Sequence, residues 1–152
     1  MKIIITTLPI RTSPTVFPPF VSLSLIKFLK RNGFEDSRLF DWDANRPTFD
    51  EAIKHLTEQK PDILGISGVV STSYKATKKL SNAIKKVLPE TLIVLGGPMA
   101  ASAEVILTKT AVDICVLGEG EVPILEISRL AQSTRSPIDF KEIPGLAILD
   151  DT

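Results

Sequence analysis

At 152 residues the chain has the length of one domain, enough to bury roughly 70% of the surface its unfolded form exposes. Hydrophobic residues make up 43% and charged residues 24%, and 18 basic side chains balance 18 acidic ones. This is a globular composition with no electrostatic footprint for nucleic acid or an anionic membrane, and no stretch reaches the ~20 apolar residues of a membrane span. The lone Cys115 lies in the apolar run Asp113-Ile-Cys-Val-Leu117, so it supports neither an internal disulfide nor a cysteine metal cluster. A reducing, cytoplasmic location is expected from it, and no metal-ligating set is predicted.

Short β-branched runs alternate with segments of helical period, the pattern of βαβ units. The first strand is Lys2 to Thr7; the leading Met1 to Thr6 is not a cleaved leader, because the run stops at Leu8-Pro9 without a small-residue cleavage pattern. Leu8 to Pro19 carries four prolines and is a long loop. A helix from Phe20 to Arg31 sets Val21, Leu25, Phe28 and Leu29 on one stripe and stops at Asn32-Gly33. A second strand, Ser37 to Asp41, precedes a capping box at Thr48-Phe-Asp-Glu51, which opens a helix facing inward through Phe49, Ala52, Ile53 and Leu56.

The third strand is Ile63 to Ser67. The helix after it, about Ser73 to Leu88, buries Ala76, Leu80, Ala83, Ile84, Val87 and Leu88 and turns Lys75, Lys78, Lys79, Lys85 and Lys86 to solvent. Leu92 to Leu95 is a fourth strand ending in Gly96-Gly97-Pro98, with a short helix from about Ala101 to Thr108. Ile114 to Leu117 is the fifth, followed by Gly118-Glu-Gly-Glu121 and a helix to about Gln132. Residues 1–132 thus form one α/β domain, and 133–152 read as a connector with one short strand, Leu146 to Leu149. The predicted architecture is a doubly wound, flavodoxin-like parallel sheet of five strands in the order 2-1-3-4-5, with helices on both faces.

In such sheets ligands bind beyond the carboxyl ends of the strands. Those ends read Thr7-Leu8-Pro9, Asp41-Trp-Asp43, Ser67-Gly68-Val69-Val70-Ser71-Thr72, Gly96-Gly97-Pro98 and Gly118-Glu119-Gly120-Glu121. Glycines allow close backbone approach, and Ser67, Ser71 and Thr72 offer hydroxyls without bulk, so three adjacent strands would line one slot with a hydrogen-bonding floor. Tight turns alone would call for the same residue types. Nucleotide fingerprints are missing: the first strand runs into Leu8-Pro-Ile-Arg11, with no Gly-x-Gly-x-x-Gly and no Walker lysine. A receiver domain would need a carboxylate where Ser67 stands, and Thr6, Thr7, Thr12 and Ser13 give a flavin-phosphate loop only faint support. His55 reads as a surface residue, Trp42 as a packing aromatic, and Glu121 as a favourable charge at a helix start rather than half of an acid-base pair with Glu119.

The segment Gly65 to Ser73 followed by Gly96-Gly97 resembles the cobalamin-binding domain pattern Ser-x-Leu, 26 to 28 residues, Gly-Gly; Ser67-Gly-Val69 is 26 residues from Gly96, with Val69 in place of leucine. Together with Leu95-Gly-Gly-Pro98, Leu117-Gly-Glu-Gly-Glu121 and Ile143-Pro-Gly-Leu-Ala147, the chain resembles the N-terminal cobalamin-binding domains of radical S-adenosylmethionine enzymes. The resemblance implies a corrin ring across the strand ends, bordered by Thr7, Leu8 and Pro9, and a nucleotide tail passing between strands. Ser67 would bond the benzimidazole nitrogen, Gly68 and Val69 to Thr72 would line the tail, and Gly96, Gly97 and Pro98 would give it room. Gly118, Glu119, Gly120 and Glu121 would border the ring or the tail from the next strand.

The same resemblance implies a C-terminal partner domain carrying S-adenosylmethionine and an iron-sulfur cluster, for methyl transfer or a cyclase-like reaction; this chain alone, without the three-cysteine motif, would not be catalytic. Many relatives carry Asp-x-His-x-x-Gly after the first strand, where the histidine ligates cobalt. The loop here holds no histidine, so base-off cobalamin without a protein nitrogen on its lower face is expected. A free-standing cobalamin carrier or sensor, and a flavodoxin-like module for another ligand, are the alternative readings.

Overall fold

The computed structural model describes residues 1–149; residues 150–152 of the expected connector lie outside the described residues. The central strands are β1 (Ile3–Thr6), β3 (Ile63–Ser67), β4 (Leu92–Gly96) and β5 (Ile114–Val116), with β2 (Ser37–Phe40) on one edge. Their near-continuous apolar sequences fit parallel strands covered on both faces. The order is β2-β1-β3-β4-β5-β6, and every pairing but the last is parallel.

Side chains alternate to two cores. Ile4, Leu64, Ile66, Ile93, Leu95 and Cys115 face α3 (Phe49–Gln59), α4 (Ser73–Val87) and α5 (Ala103–Lys109). Ile3, Ile5, Ile63, Leu92, Val94, Ile114 and Val116 face α1 (Phe20–Arg31) and α6 (Glu121–Leu130). The capping box at α3 is formed: Thr48 N donates to Glu51 Oε2 at 2.8 Å while Glu51 N donates to Thr48 Oγ1 at 3.3 Å. One helical turn absent from the sequence reading, α2 (Trp42–Asn45), is capped by Asp41, which accepts from Ala44 N. The lysine face of α4 is tied down at two points, with Lys79 Nζ 3.9 Å from the Phe49 ring centroid and Lys85 Nζ 2.8 Å from Asp113.

The sheet has six strands rather than five. After α6 the chain makes a 3₁₀ turn, Pro137–Phe140, which drives Phe140 into the α1–α6 core, and returns as β6 (Leu146–Ala147), antiparallel to β5. Gly145, at φ +80°, makes the reversal, and Leu117 N donates to its carbonyl at 2.7 Å.

The face of α1 also differs from the expected one. Ser22, Ile26 and Leu29 point at the sheet, whereas Val21 is 71% exposed. In α4, Ser73, Thr77 and Ser81 share the buried side with Leu80 and Ile84, and Val87 is exposed. In both helices small hydroxyl residues occupy inward positions, so the apolar stripe alone misplaces the face.

Candidate functional site

A cavity of about 400 Å³ opens at the carboxyl end of the sheet, between the first turns of α1 and α6; this is within the usual size of ligand pockets. Its floor is made by alternate residues of neighbouring strands: Ile5 of β1, Gly65 and Ser67 of β3, Val94 and Gly96 of β4, and Val116 of β5. Gly65 pairs with Val94 and Ser67 with Gly96. The cavity exists because the α1–α6 face of β3 and β4 loses its side chains toward the carboxyl ends, from Ile63 through Gly65 to Ser67 and from Leu92 through Val94 to Gly96. Helices packed on the larger residues below cannot close on the smaller ones above.

The walls are Phe20 to Ser22, Ser24 and Leu25 on α1, and Gly118 to Glu121 with Ile124 on the α6 side. The volume is not an accident of turn geometry at every glycine. A Cβ added to Gly96 or Gly118 meets nothing within 4 Å, so those positions border open space. Gly97 is different: its φ is +90°, and a Cβ there would lie 2.7 Å from the Gly68 carbonyl oxygen. Gly68 in turn is held between strand and turn, donating to Gly96 O at 2.9 Å and accepting from Met99 N at 3.0 Å.

Of the residues expected from sequence, Ser67, Gly96, Gly97, Gly118, Glu119, Gly120 and Glu121 line this cavity. Thr7, Leu8, Pro9, Gly68, Val69, Val70, Ser71, Thr72 and Pro98 stand outside its lining. Thr7 Oγ1 donates to Asp41 Oδ1 at 2.7 Å and accepts from Asp43 N at 3.1 Å, and Leu8 is buried in the α3–α5 core. Val69, Val70, Ser71 and Thr72 are exposed at the end of β3, where Val70 and Ser71 carbonyls start α4 by accepting from Ser73 and Tyr74. Pro98 opens a 3₁₀ turn, Pro98–Ser102. Phe20, Val21, Ser22, Ser24, Leu25 and Gly65 were not foreseen. Gly65 carries a signal, since a glycine inside a strand marks a close approach; the α1 residues carry none, because Val21 and Leu25 read as part of a core-facing stripe and Phe20, Ser22 and Ser24 as lying off it.

The long loop after β1 is fastened from α2. Arg46, left-handed at φ 48°, donates from its guanidinium to the carbonyls of Arg11 and Ser13, each at 2.7 Å, and to Asp43 Oδ1 at 2.6 Å. Asp43 Oδ2 accepts from Thr15 N at 3.0 Å. Burial pushes the Asp43 carboxyl up, but hydrogen bonding from Thr15 and the Arg46 charge outweigh it, and the group sits below the ordinary carboxylate value. Trp42 is buried, donates to Pro47 O and packs 6.0 Å from Phe49, and the exposed His55 stacks on Phe40 at 4.9 Å; neither lines the cavity.

Residues 7–128 match the family model described as B12 binding domain. The chain belongs to the B12-binding domain family. Cobalamin is therefore its cofactor. The anaerobic magnesium-protoporphyrin IX monomethyl ester cyclase of Rubrivivax gelatinosus is 31% identical over 133 residues, covering 86% of this chain and 24% of the relative. Its counterpart from Cereibacter sphaeroides is 27% identical over 136 residues, covering 88% and 22%. The B12-binding domain thus spans about a quarter of the length of these curated relatives.

Two solved structures share the fold. The radical S-adenosylmethionine methyltransferase TsrM from Kitasatospora setae, with cobalamin and a [4Fe-4S] cluster bound, superposes with a TM-score of 0.83 at 16% identity, over 99% of this chain and 30% of that one. The cobalamin-dependent S-adenosylmethionine radical enzyme OxsB, with aqua-cobalamin and S-adenosylmethionine bound, gives 0.81 at 18% identity, over 99% and 21%. Among the described residues no helix is long and apolar enough to cross a membrane.

Proposed function

We propose that this B12-binding domain holds cobalamin base-off, with the nucleotide tail in the cavity and the corrin over the strand ends, and presents it to a radical S-adenosylmethionine domain of a longer, cytoplasmic protein. The observation that carries the reading is the open space over Gly96 beside the Ser67 hydroxyl, on a floor whose packing does not require side chains to be missing. A planar aromatic base fits such a slot: the apolar floor of Ile5, Val94 and Val116 and the walls from Leu25 and Ile124 cover its faces, and Ser67 donates to a ring nitrogen. The exposed Val69 and Val70 at the end of β3 suit the rim of a ring lying outside. Cobalamin supplies a cobalt centre able to carry a methyl group. This chain's residues bind and orient; none is assigned to catalysis.

The protein is expected to retain hydroxocobalamin through gel filtration after titration, and to release flavin mononucleotide. Flavin kept in preference would overturn the reading. For the lower face, the loop after β1 offers no histidine, and a guanidinium, being a donor only, has no lone pair for a metal. Electron paramagnetic resonance of the cob(II)alamin form should therefore lack nitrogen superhyperfine splitting; its presence would put an axial nitrogen on cobalt and refute the base-off, nitrogen-free arrangement.

A further inference from the structure

The first turn of α1 has donors without acceptors. Its N-cap is Pro19, no side chain caps it, and it holds no acidic residue. Phe20 N donates to Pro18 O and Leu23 N to Pro19 O, but the amides of Val21 and Ser22 find no acceptor among the described residues. Ser22 is 2% exposed and lines the cavity. Hydroxyls in helices commonly bond back to the preceding turn, and here Ser128 does so to Ile124 O at 2.7 Å and Thr57 to Ile53 O at 2.8 Å. The Ser22 hydroxyl has no such partner among the described residues. Nor is it sealed in packing, as the partnerless Ser73 and Thr77 hydroxyls of α4 are.

Free amides at a helix start carry partial positive charge and bind anions, and the Ser22 hydroxyl adds a third donor within the same turn. A ligand satisfying all three needs several acceptor atoms, and the helix start favours one that carries negative charge. The other helix opening on the cavity, α6, has Glu121 in its first turn and Glu119 just before it, which steers an anion to the α1 side. The nucleotide tail of cobalamin carries one anion, the phosphodiester joining its linker to the ribose.

We propose that the Ser22 hydroxyl and the Val21 and Ser22 amides receive this phosphodiester, so that the tail is gripped from helix α1 as well as from the strands. The inference rests on the cobalamin reading.

The test compares hydroxocobalamin with cobinamide, which lacks the nucleotide, and α-ribazole with its 3′-phosphate as competitors, on the wild-type protein and Ser22→Ala. In the wild type the phosphorylated tail fragment should compete at about tenfold lower concentration than the nucleoside. Ser22→Ala should shrink that gap, weaken hydroxocobalamin about three- to tenfold, and leave cobinamide unchanged. The phosphorus-31 resonance of bound hydroxocobalamin should shift from its free position in the wild type and move back toward it in Ser22→Ala, a signature that mere loosening of the helix does not produce.

Equal weakening of nucleoside and nucleotide would place Ser22 against the base or sugar and overturn the proposal. So would unchanged cobalamin affinity in Ser22→Ala or a phosphorus resonance unmoved on binding. Failure of the wild type to bind hydroxocobalamin is a separate result: it defeats the cobalamin reading and this inference with it.

Discussion

Gly96 and Gly97 adjoin in the chain, yet opposite physical demands keep them glycine. Gly96 has ordinary backbone angles and empty space where a side chain would go; Gly97 has a left-handed φ of +90° and the Gly68 carbonyl 2.7 Å from any Cβ. A branched residue at 96 therefore fills the cavity without straining the chain. At 97 it strains the backbone, by about 1–3 kcal/mol before the clash is counted. Gly96→Val is expected to lower cobalamin affinity by about 100-fold or more with a thermal midpoint near the wild type's, whereas Gly97→Ala lowers the midpoint whether or not cofactor is present. Affinity and midpoint measured on the same preparations check this, and a Gly97→Ala protein of full stability would refute the packing account. A Gly-Gly pair in sequence marks both positions alike. Gly97 lines the cavity and carries a structural demand as well, and only the backbone angles and the path of Gly68 separate the two positions.

At the scale of elements, strands were legible because burial on both faces leaves apolar runs that end sharply in glycine, and α3 was legible because Thr48 and Glu51 announce its start. The inward face of α1 was not. Its first turn buries Ser22 rather than a large apolar residue, while Phe20 and Val21 border the cavity and stay largely exposed. The sixth strand was also hidden as a sheet member, since two residues hold no period.

The loop between β1 and α1 looked unconstrained in sequence because its anchors, Asp43 and Arg46, lie in another unit. Removing the anchor should free it: Arg46→Met is expected to speed tryptic cleavage after Arg11 by tenfold or more, with little change in far-ultraviolet circular dichroism. Unchanged cleavage would show that the clasp does not restrain the loop. The clasp also has a pH signature. A carboxyl whose folded value lies below its ordinary 3.8 contributes stability that is present above that value and lost as the pH falls through the folded one. Wild type should exceed Asp43→Asn in stability by about 1–2 kcal/mol at neutral pH, and the difference should hold down to about pH 4 and close only below it.

Across the whole molecule the sheet order follows from the βα alternation, and the two cores it separates meet only through the sheet itself. Cys115 sits at this divide, on β5 between β4 and β6, with its thiol fully buried on the α3–α5 side. Burial pushes the thiol up to about 12, so at pH 8 the reactive thiolate is on the order of one part in 10⁴ even before access is considered. Besides its pairing with β6, Cys115 belongs to the same buried cluster as Ile106 and Leu107 of α5. Alkylation of Cys115 should therefore require opening of the domain and should accelerate with urea along the global unfolding curve.

The cavity opens on the α1–α6 face, whereas Cys115 belongs to the α3–α5 core, yet a ligand held by the native state alone adds RT ln(1 + [L]/Kd), about 2.7 kcal/mol at 100 times Kd. Iodoacetamide labelling should slow by about 100-fold at that concentration of hydroxocobalamin, less with cobinamide, and not at all with flavin mononucleotide. Labelling that ignores bound cobalamin, or that proceeds without dependence on urea, would mean that Cys115 is reached by local fraying and that the two faces do not unfold as one unit.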